Sequence, residues 1–219
     1  MIDRILVTGF APWDTHRVNS SAVAIEPLDG IEIGGIRLRT AVLPVDFDAC
    51  VAALLDAAAA FEPDAVICFG MLSTGPDVWR VELLAHNVDG RVSAASGASP
   101  VPRGSGRRDG NRLLDNALPR ILPTGLPAAR IFGRLLEAGL PVELSENAGR
   151  FVCNHLFFES LRAAESGRLP PFTGFVHVPP PVFKEGQDSP VNLDPLHEGA
   201  RLVVEAVLSQ PGDRAGIGP

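Results

Sequence analysis

A cysteine, a histidine and a glutamate in this chain stand on three separate segments that a fold could carry to one place. Cys153 lies in SENAGRFVCN (145–154), where a strand gives way to a helix. His177 lies inside the apolar strand GFVHVP (174–179), and Glu82 inside WRVELLAHN (79–87). A thiol becomes a useful nucleophile only as the thiolate, and a helix N-terminus and a neighbouring imidazole are the commonest devices that favour that form. The Asn-Ala-Gly ahead of the cysteine permits a tight turn and close approach by a substrate backbone. An isolated carboxylate between Val81 and Leu83 would be costly without a partner. Together the three types suggest a nucleophile, a base and an orienting group.

Each also has a plainer reading. Most free cysteines are small buried hydrophobes, and Cys50 and Cys68 are read that way. A histidine flanked by Phe175, Val176 and Val178 can be a core residue bonded to a backbone carbonyl. Glu82, close to Arg80, can be an outward charge on an edge strand. His155 is the rival base, but two residues along a helix from Cys153 it should point away from the thiol. His16, His86 and His197 sit in plain polar contexts, and no pair has metal-ligand spacing, so no metal is expected.

The elements that must position these residues alternate in type. Residues 4–8 (RILVT) and 36–43 (IRLRTAVL) are expected strands, and 46–63 carries apolar residues at Phe47, Val51, Leu54, Leu55 and Ala58 with a helical period closed by Pro63. AVICFG (65–70) reads as a buried strand ending in glycine. WRVELLAHNV as one strand, AARIFGRLLEAG as a helix stopped by Gly139, and LPVEL as a strand continue the pattern. A helix follows from about Cys153, then the strand FTGFVHV, then a final helix with Asp194 as N-cap and Pro195 in its first turn. Such alternation predicts an α/β fold, a three-layer α/β/α sandwich with a mostly parallel, mixed central sheet. One domain is expected over 1–210, with 91–112 (Gly, Ser, Pro and Arg) as a flexible loop or lid and 211–219 as a frayed tail.

Composition narrows the function classes. With 219 residues, 46% of them apolar, a sizeable core can form. A net charge of −7 argues against a nucleic-acid partner. Three widely spaced cysteines form neither a disulfide framework nor a zinc motif, and their odd number fits a reducing compartment. No apolar run approaches a signal-peptide core or a membrane span, so a soluble cytoplasmic protein without membrane contact is expected. The opening ILVTGF looks like a dinucleotide-binding βα unit, but APWDTH follows where that unit needs glycines.

Taken in order, LVTGFAPW (6–13), Asn19 with Ser20 and Ser21, LPVDF (43–47), VELLAHN (81–87), SENAGRFVCNHLFF (145–158) and GFVHVP (174–179) resemble the pyroglutamyl peptidase I (pyrrolidone-carboxylate peptidase) family of cysteine peptidases. The segment around the cysteine is the most specific of these. The resemblance implies a Cys–His–Glu triad at Cys153, His177 and Glu82, a three-layer α/β/α fold, and a cytoplasmic homo-oligomer (dimer or tetramer) without cofactor. It implies removal of an N-terminal pyroglutamyl residue through a thioester. It also implies a substrate pocket lined by Phe10 and Trp13 and by Phe151 and Val152.

The chain departs from the family pattern around the pocket. Trp13 stands for a phenylalanine, and Asp14 with Thr15 for a glycine pair. Met71 stands for a glutamine that can contact the lactam, and Leu83 for an arginine. The stretch after Asn87 is one residue short at the match of Arg91 to the family's oxyanion-side arginine. The expected oxyanion donors are the backbone N–H of Cys153 and Arg91. Two other readings stay beside the peptidase: a cysteine amidase of the same fold acting on another small amide or lactam, and a non-catalytic binding homologue.

Overall fold

The computed structural model of the chain describes residues 2–14, 16–72, 77–88, 117–185 and 190–208. The segment 91–112 and the tail 211–219 lie outside the described residues.

Strands β1 (Arg4–Phe10), β2 (Glu32–Ile33), β3 (Ile36–Leu43), β4 (Ala65–Met71), β5 (Trp79–Glu82), β8 (Val142–Ser145) and β9 (Phe172–Val178) form one sheet, in the order β2-β3-β1-β4-β9-β5-β8. β1 runs parallel to β3 and β4, β4 to β9, and β5 to β8. β2 against β3 and β5 against β9 are antiparallel, so the sheet is mixed. β6 (Leu84–His86) and β7 (Ile121–Pro123) make a separate antiparallel pair.

Side chains alternate across each strand, and the two faces feed two different cores. Ile5, Val7, Ile67, Phe69, Val176 and Val178 pack with helices α1 (Ser20–Ile25), α3 (Ala128–Glu137) and α5 (Leu193–Leu208). Leu6, Val66, Cys68 and Phe175 pack with α2 (Phe47–Phe61) and α4 (Val152–Glu165). This is the three-layer arrangement anticipated from the alternation of elements.

The local signals account for most boundaries. Asp46 caps α2, its Oδ1 accepting from Asp48 N at 3.1 Å and Ala49 N at 2.9 Å. Three expectations need correction. α5 begins at Leu193, so Asp194 lies inside the first turn rather than at the cap. WRVELLAHNV is not one strand: Leu83 N–H donates to Ser145 O at 2.7 Å while Leu83 O accepts from Thr124 N at 2.8 Å, so the chain changes partners there and β6 leaves the main sheet. Finally, α1, β2 and β7 carry too few residues for a periodic signal and were not anticipated.

α1 matters for the site because it locks the carboxyl ends of β1, β4 and β9. Its N-cap Asn19 accepts from Ser21 N at 3.1 Å and from Ser21 Oγ at 2.8 Å. Ser21 Oγ in turn accepts from Phe10 N at 2.9 Å, and Ser20 Oγ donates to Pro179 O at 2.5 Å.

Candidate active site

The turn before Cys153 is built as its residues suggest. Gly149 N–H donates to Asn147 Oδ1 at 3.0 Å, and Gly149 takes φ +83°, a left-handed conformation that glycine adopts without strain. Phe151 then sits extended at the N-cap of α4 and makes no side-chain capping bond. The first intrahelical bond runs from His155 N to Phe151 O at 3.1 Å. Cys153 is therefore the second residue of the helix, among N–H groups that have no partner within it. That end of the helix carries partial positive charge.

β9 brings His177 to the same place. His177 is paired with Gly70 across β4 and with Arg80 across β5. Paired residues share a face, and it is the face of Phe175, beneath α4. An ideal Cβ on Gly70 would lie 3.1 Å from Cys153 Sγ and 2.6 Å from Phe175 Cζ. The thiol thus rests over a glycine, beside the imidazole, in room that a side chain would fill. Gly70→Ala is expected to push either Phe175 or the thiol aside. Alkylation of Cys153 by iodoacetamide should slow by about tenfold, since small misplacements are costly to reacting groups. Peptide mapping of the labelled protein, beside its melting curve, measures both effects.

Glu82 is fully buried and lies two residues along β5 from Arg80, which makes it the diagonal neighbour of His177 on one face. A carboxylate only accepts, so His177 Nδ1–H donates to Glu82 Oε1, at 2.7 Å. Oε2 has no hydrogen-bond partner among the described residues, so the imidazole is this carboxylate's one tie. β5 is flanked by β9 and β8, which excludes the reading of Glu82 as an outward edge charge. Arg80 is instead paired with Glu143 of β8.

With Nδ1 committed to Glu82, the other ring nitrogen is left for Cys153, whose Sγ sits over Gly70, the strand partner of His177. Burial pulls the His177 pKa down. The hydrogen bonds and charges of Cys153 and Glu82 outweigh it and raise the group from 6.5 to about 9. The imidazolium is therefore the favoured form at neutral pH.

The other candidates sort cleanly. Cys50 is pushed well above the ordinary thiol range by burial, and Cys68 up to about 12 by the same cause. Both are core residues, whereas Cys153 is half-exposed. His155 packs against Phe47, ring centroids 5.1 Å apart, on the α2 side. Phe10, Phe151 and Val152 lie in the cluster that Cys153 joins. Trp13 and Met71 pack into the cluster on the opposite face, and Trp13 stacks on His16 with centroids 4.4 Å apart. Met71 Sδ accepts from Ser20 N at 3.5 Å. Arg91 lies outside the described residues. Among the described residues no group of three or more His, Cys, Asp or Glu could hold a metal ion.

Two residues of this site carry no chemical signal in the sequence. Gly70 is one of 22 glycines, and only the thiol above it reveals its use. Asn154, next to the cysteine, is fully buried and bonds to the backbone of residues 86 and 88.

Known proteins resemble this chain along nearly its whole length. The family model for pyroglutamyl peptidase matches residues 3–209. The pyrrolidone-carboxylate peptidase of Vibrio parahaemolyticus is 30% identical over 213 residues, covering 96% of this chain and 95% of that protein. That of Chromobacterium violaceum is 32% identical over 212 residues, covering 95% and 94%. Among solved structures, pyroglutamyl peptidase I of Bacillus amyloliquefaciens superposes with a TM-score of 0.80 at 26% identity, covering 95% of this chain and 98% of that one.

Proposed function

This chain belongs to the pyroglutamyl peptidase family, and from that premise we propose that Cys153, His177 and Glu82 are the triad with which it removes an N-terminal pyroglutamyl residue from peptides. The observation that supports this most directly is the buried His177–Glu82 bond at 2.7 Å, with Cys153 Sγ lodged over Gly70, the strand partner of the same histidine.

In chemical terms, Cys153 Sγ attacks the carbonyl that joins the 5-oxoproline ring to the next residue. The Cys153 N–H at the uncapped start of α4 stabilises the oxyanion, together with Arg91; one such donor is typically worth about 3–4 kcal/mol. His177, protonated at neutral pH, gives its proton to the leaving amine as the C–N bond breaks and a thioester forms. It then takes a proton from the water that hydrolyses the thioester, releasing 5-oxoproline and the free thiol. Glu82 holds the ring in the tautomer that presents Nε2.

Phe151, backed by the buried Phe10 and Val152 of the same cluster, offers the substrate an uncharged surface, which admits a neutral lactam and penalises a free α-ammonium; Trp13 packs into the opposite cluster and takes no part in it. No helix among the described residues is long and apolar enough to cross a membrane. We place the enzyme in the cytoplasm, as a homo-oligomer acting on peptides with blocked N-termini. The reducing environment suggested by its three free cysteines supports the compartment.

One observation favours a second reading. Met71, in place of a polar loop residue, turns its thioether toward α1, and a thioether cannot donate to a lactam carbonyl. A cysteine amidase for another small amide would then be the activity. Hydrolysis of pyroglutamyl-, prolyl- and acetyl-glycyl-coumarin amides separates the two. The peptidase predicts a kcat/KM for the pyroglutamyl compound about 100-fold above that of the prolyl one, because burying the prolyl ammonium costs several kcal/mol. Preference for another amide would establish the amidase.

A further inference from the structure

We propose that Asn154 is a positioning residue for the Cys153 thiol, fastening the first turn of α4 to the strand that leaves Glu82. The inference rests on the triad assigned above and adds a residue that acts through it.

Asn154 is fully buried, and its side chain makes three hydrogen bonds, all to one short stretch of backbone. Oδ1 accepts from His86 N at 2.9 Å, and Nδ2 donates to His86 O at 2.8 Å and Val88 O at 3.1 Å. Both Nδ2 hydrogens are thereby used. The side-chain amide behaves as an added strand: it pairs with His86 on one edge of β6, while the other edge pairs with β7 in the register Ala85↔Leu122 and His86↔Ile121.

His86 is also held from the opposite side of the nucleophile. Its ring Nε2 lies 2.6 Å from Glu146 O, in the loop that leads into Cys153. One residue of β6 is thus tied by its backbone to the turn after the thiol and by its ring to the segment before it. At the third position of a helix an amide side chain commonly reaches back to the N-cap. Here it reaches outward, and Phe151 supplies no capping bond. The Asn154 tether does what a cap would otherwise do for that turn.

The consequence for chemistry follows from the chain of ties. His177 is bonded to Glu82, Leu83 is anchored by Ser145 O and Thr124 N, His86 is held by Asn154, and Asn154 adjoins Cys153. Without Asn154 the thiol loses its fixed distance from the imidazole, although no atom of Asn154 need touch substrate.

The test uses the full chain with Asn154→Ala and Asn154→Asp. The aspartate keeps the side-chain volume and the bond from His86 N, and loses both donations, so it reports if the alanine variant does not fold. For each, kcat and KM on a pyroglutamyl-coumarin amide and the iodoacetamide alkylation rate of Cys153 are measured well below the melting temperature. The expected result is a kcat about 100-fold lower, as for an ångström-scale misplacement, with KM within about threefold and alkylation slower by about tenfold. A merely structural asparagine would lower the melting temperature and leave kcat per folded molecule unchanged. A folded variant with kcat and alkylation within about threefold of wild type overturns the proposal. If the wild-type chain fails to cleave the substrate, the peptidase reading fails, and the alkylation ratio alone decides this one: slowed alkylation supports it and equal alkylation overturns it.

Discussion

Cys153→Ala leaves a folded protein whose kcat on a pyroglutamyl-coumarin amide is lower by about 10⁴-fold or more, the scale seen when a nucleophile acting as part of a unit is removed. The fold should persist because Cys153 is half-exposed at the start of α4, so losing one sulfur opens no closed cavity in the core. Melting within a few degrees of wild type would confirm that. The comparison also settles the non-catalytic reading. If the site is dead, Cys153 alkylates no faster than Cys50 or Cys68, which are buried with their pKa values raised. Preferential labelling of Cys153, with turnover lost in the alanine variant, is incompatible with a binding module. Turnover that survives the substitution would remove Cys153 from the mechanism altogether.

Glu82→Gln is expected to lower kcat by about 10³–10⁴-fold while preserving shape, because the neutral amide no longer holds the imidazole in its working tautomer or balances its charge. The variant should also move the pH profile, and the sign can be worked out. In the wild type, burial lowers the His177 pKa, and the ties to Cys153 and Glu82 overcome it to reach about 9. Removing the Glu82 charge leaves burial with less opposition, so the His177 pKa falls. The proton needed by the leaving amine is then lost at lower pH, and the alkaline limb of kcat shifts to the acid side. Stability follows the same linkage. A raised pKa contributes stability that is fully present below the unfolded value of 6.5 and is lost as pH rises through about 9. Wild-type melting temperature should therefore fall across that window, and more steeply than in Glu82→Gln. An alkaline limb that stays in place in the variant would mean that Glu82 does not govern the titration of His177.

Much of the candidate site was legible because its chemistry is local in sequence. Asn147 and Gly149 announce a turn, the apolar run from Val152 announces a helix, and a cysteine between them stands at a helix start whatever the rest of the chain does. His177 and Glu82 were legible for a related reason: an ionisable group inside an apolar strand needs a partner. The ordered motifs supplied the family, which the matched model and relatives bear out. The pocket was less legible. Phe10, Trp13, Met71, Phe151 and Val152 share one pattern in the sequence, yet the folded chain divides them between the two cores on opposite faces of the sheet.

What the sequence determined by itself was the alternation of elements, the two apolar faces of its inner strands and the three residue types that could act together. These depend on period, turn chemistry and composition, which are properties of neighbours along the chain. Only the tertiary structure decided that Glu82 is interior, because that depends on β5 being placed between β9 and β8. It alone decided that β6 leaves the sheet at Leu83, that Gly70 clears room for the thiol, and that Asn154 binds backbone 68 residues away. Each of these is a relation between segments whose separation along the chain carries no information about their distance in space. Hydrogen bonding and close packing set that distance only once the sheet has chosen its order.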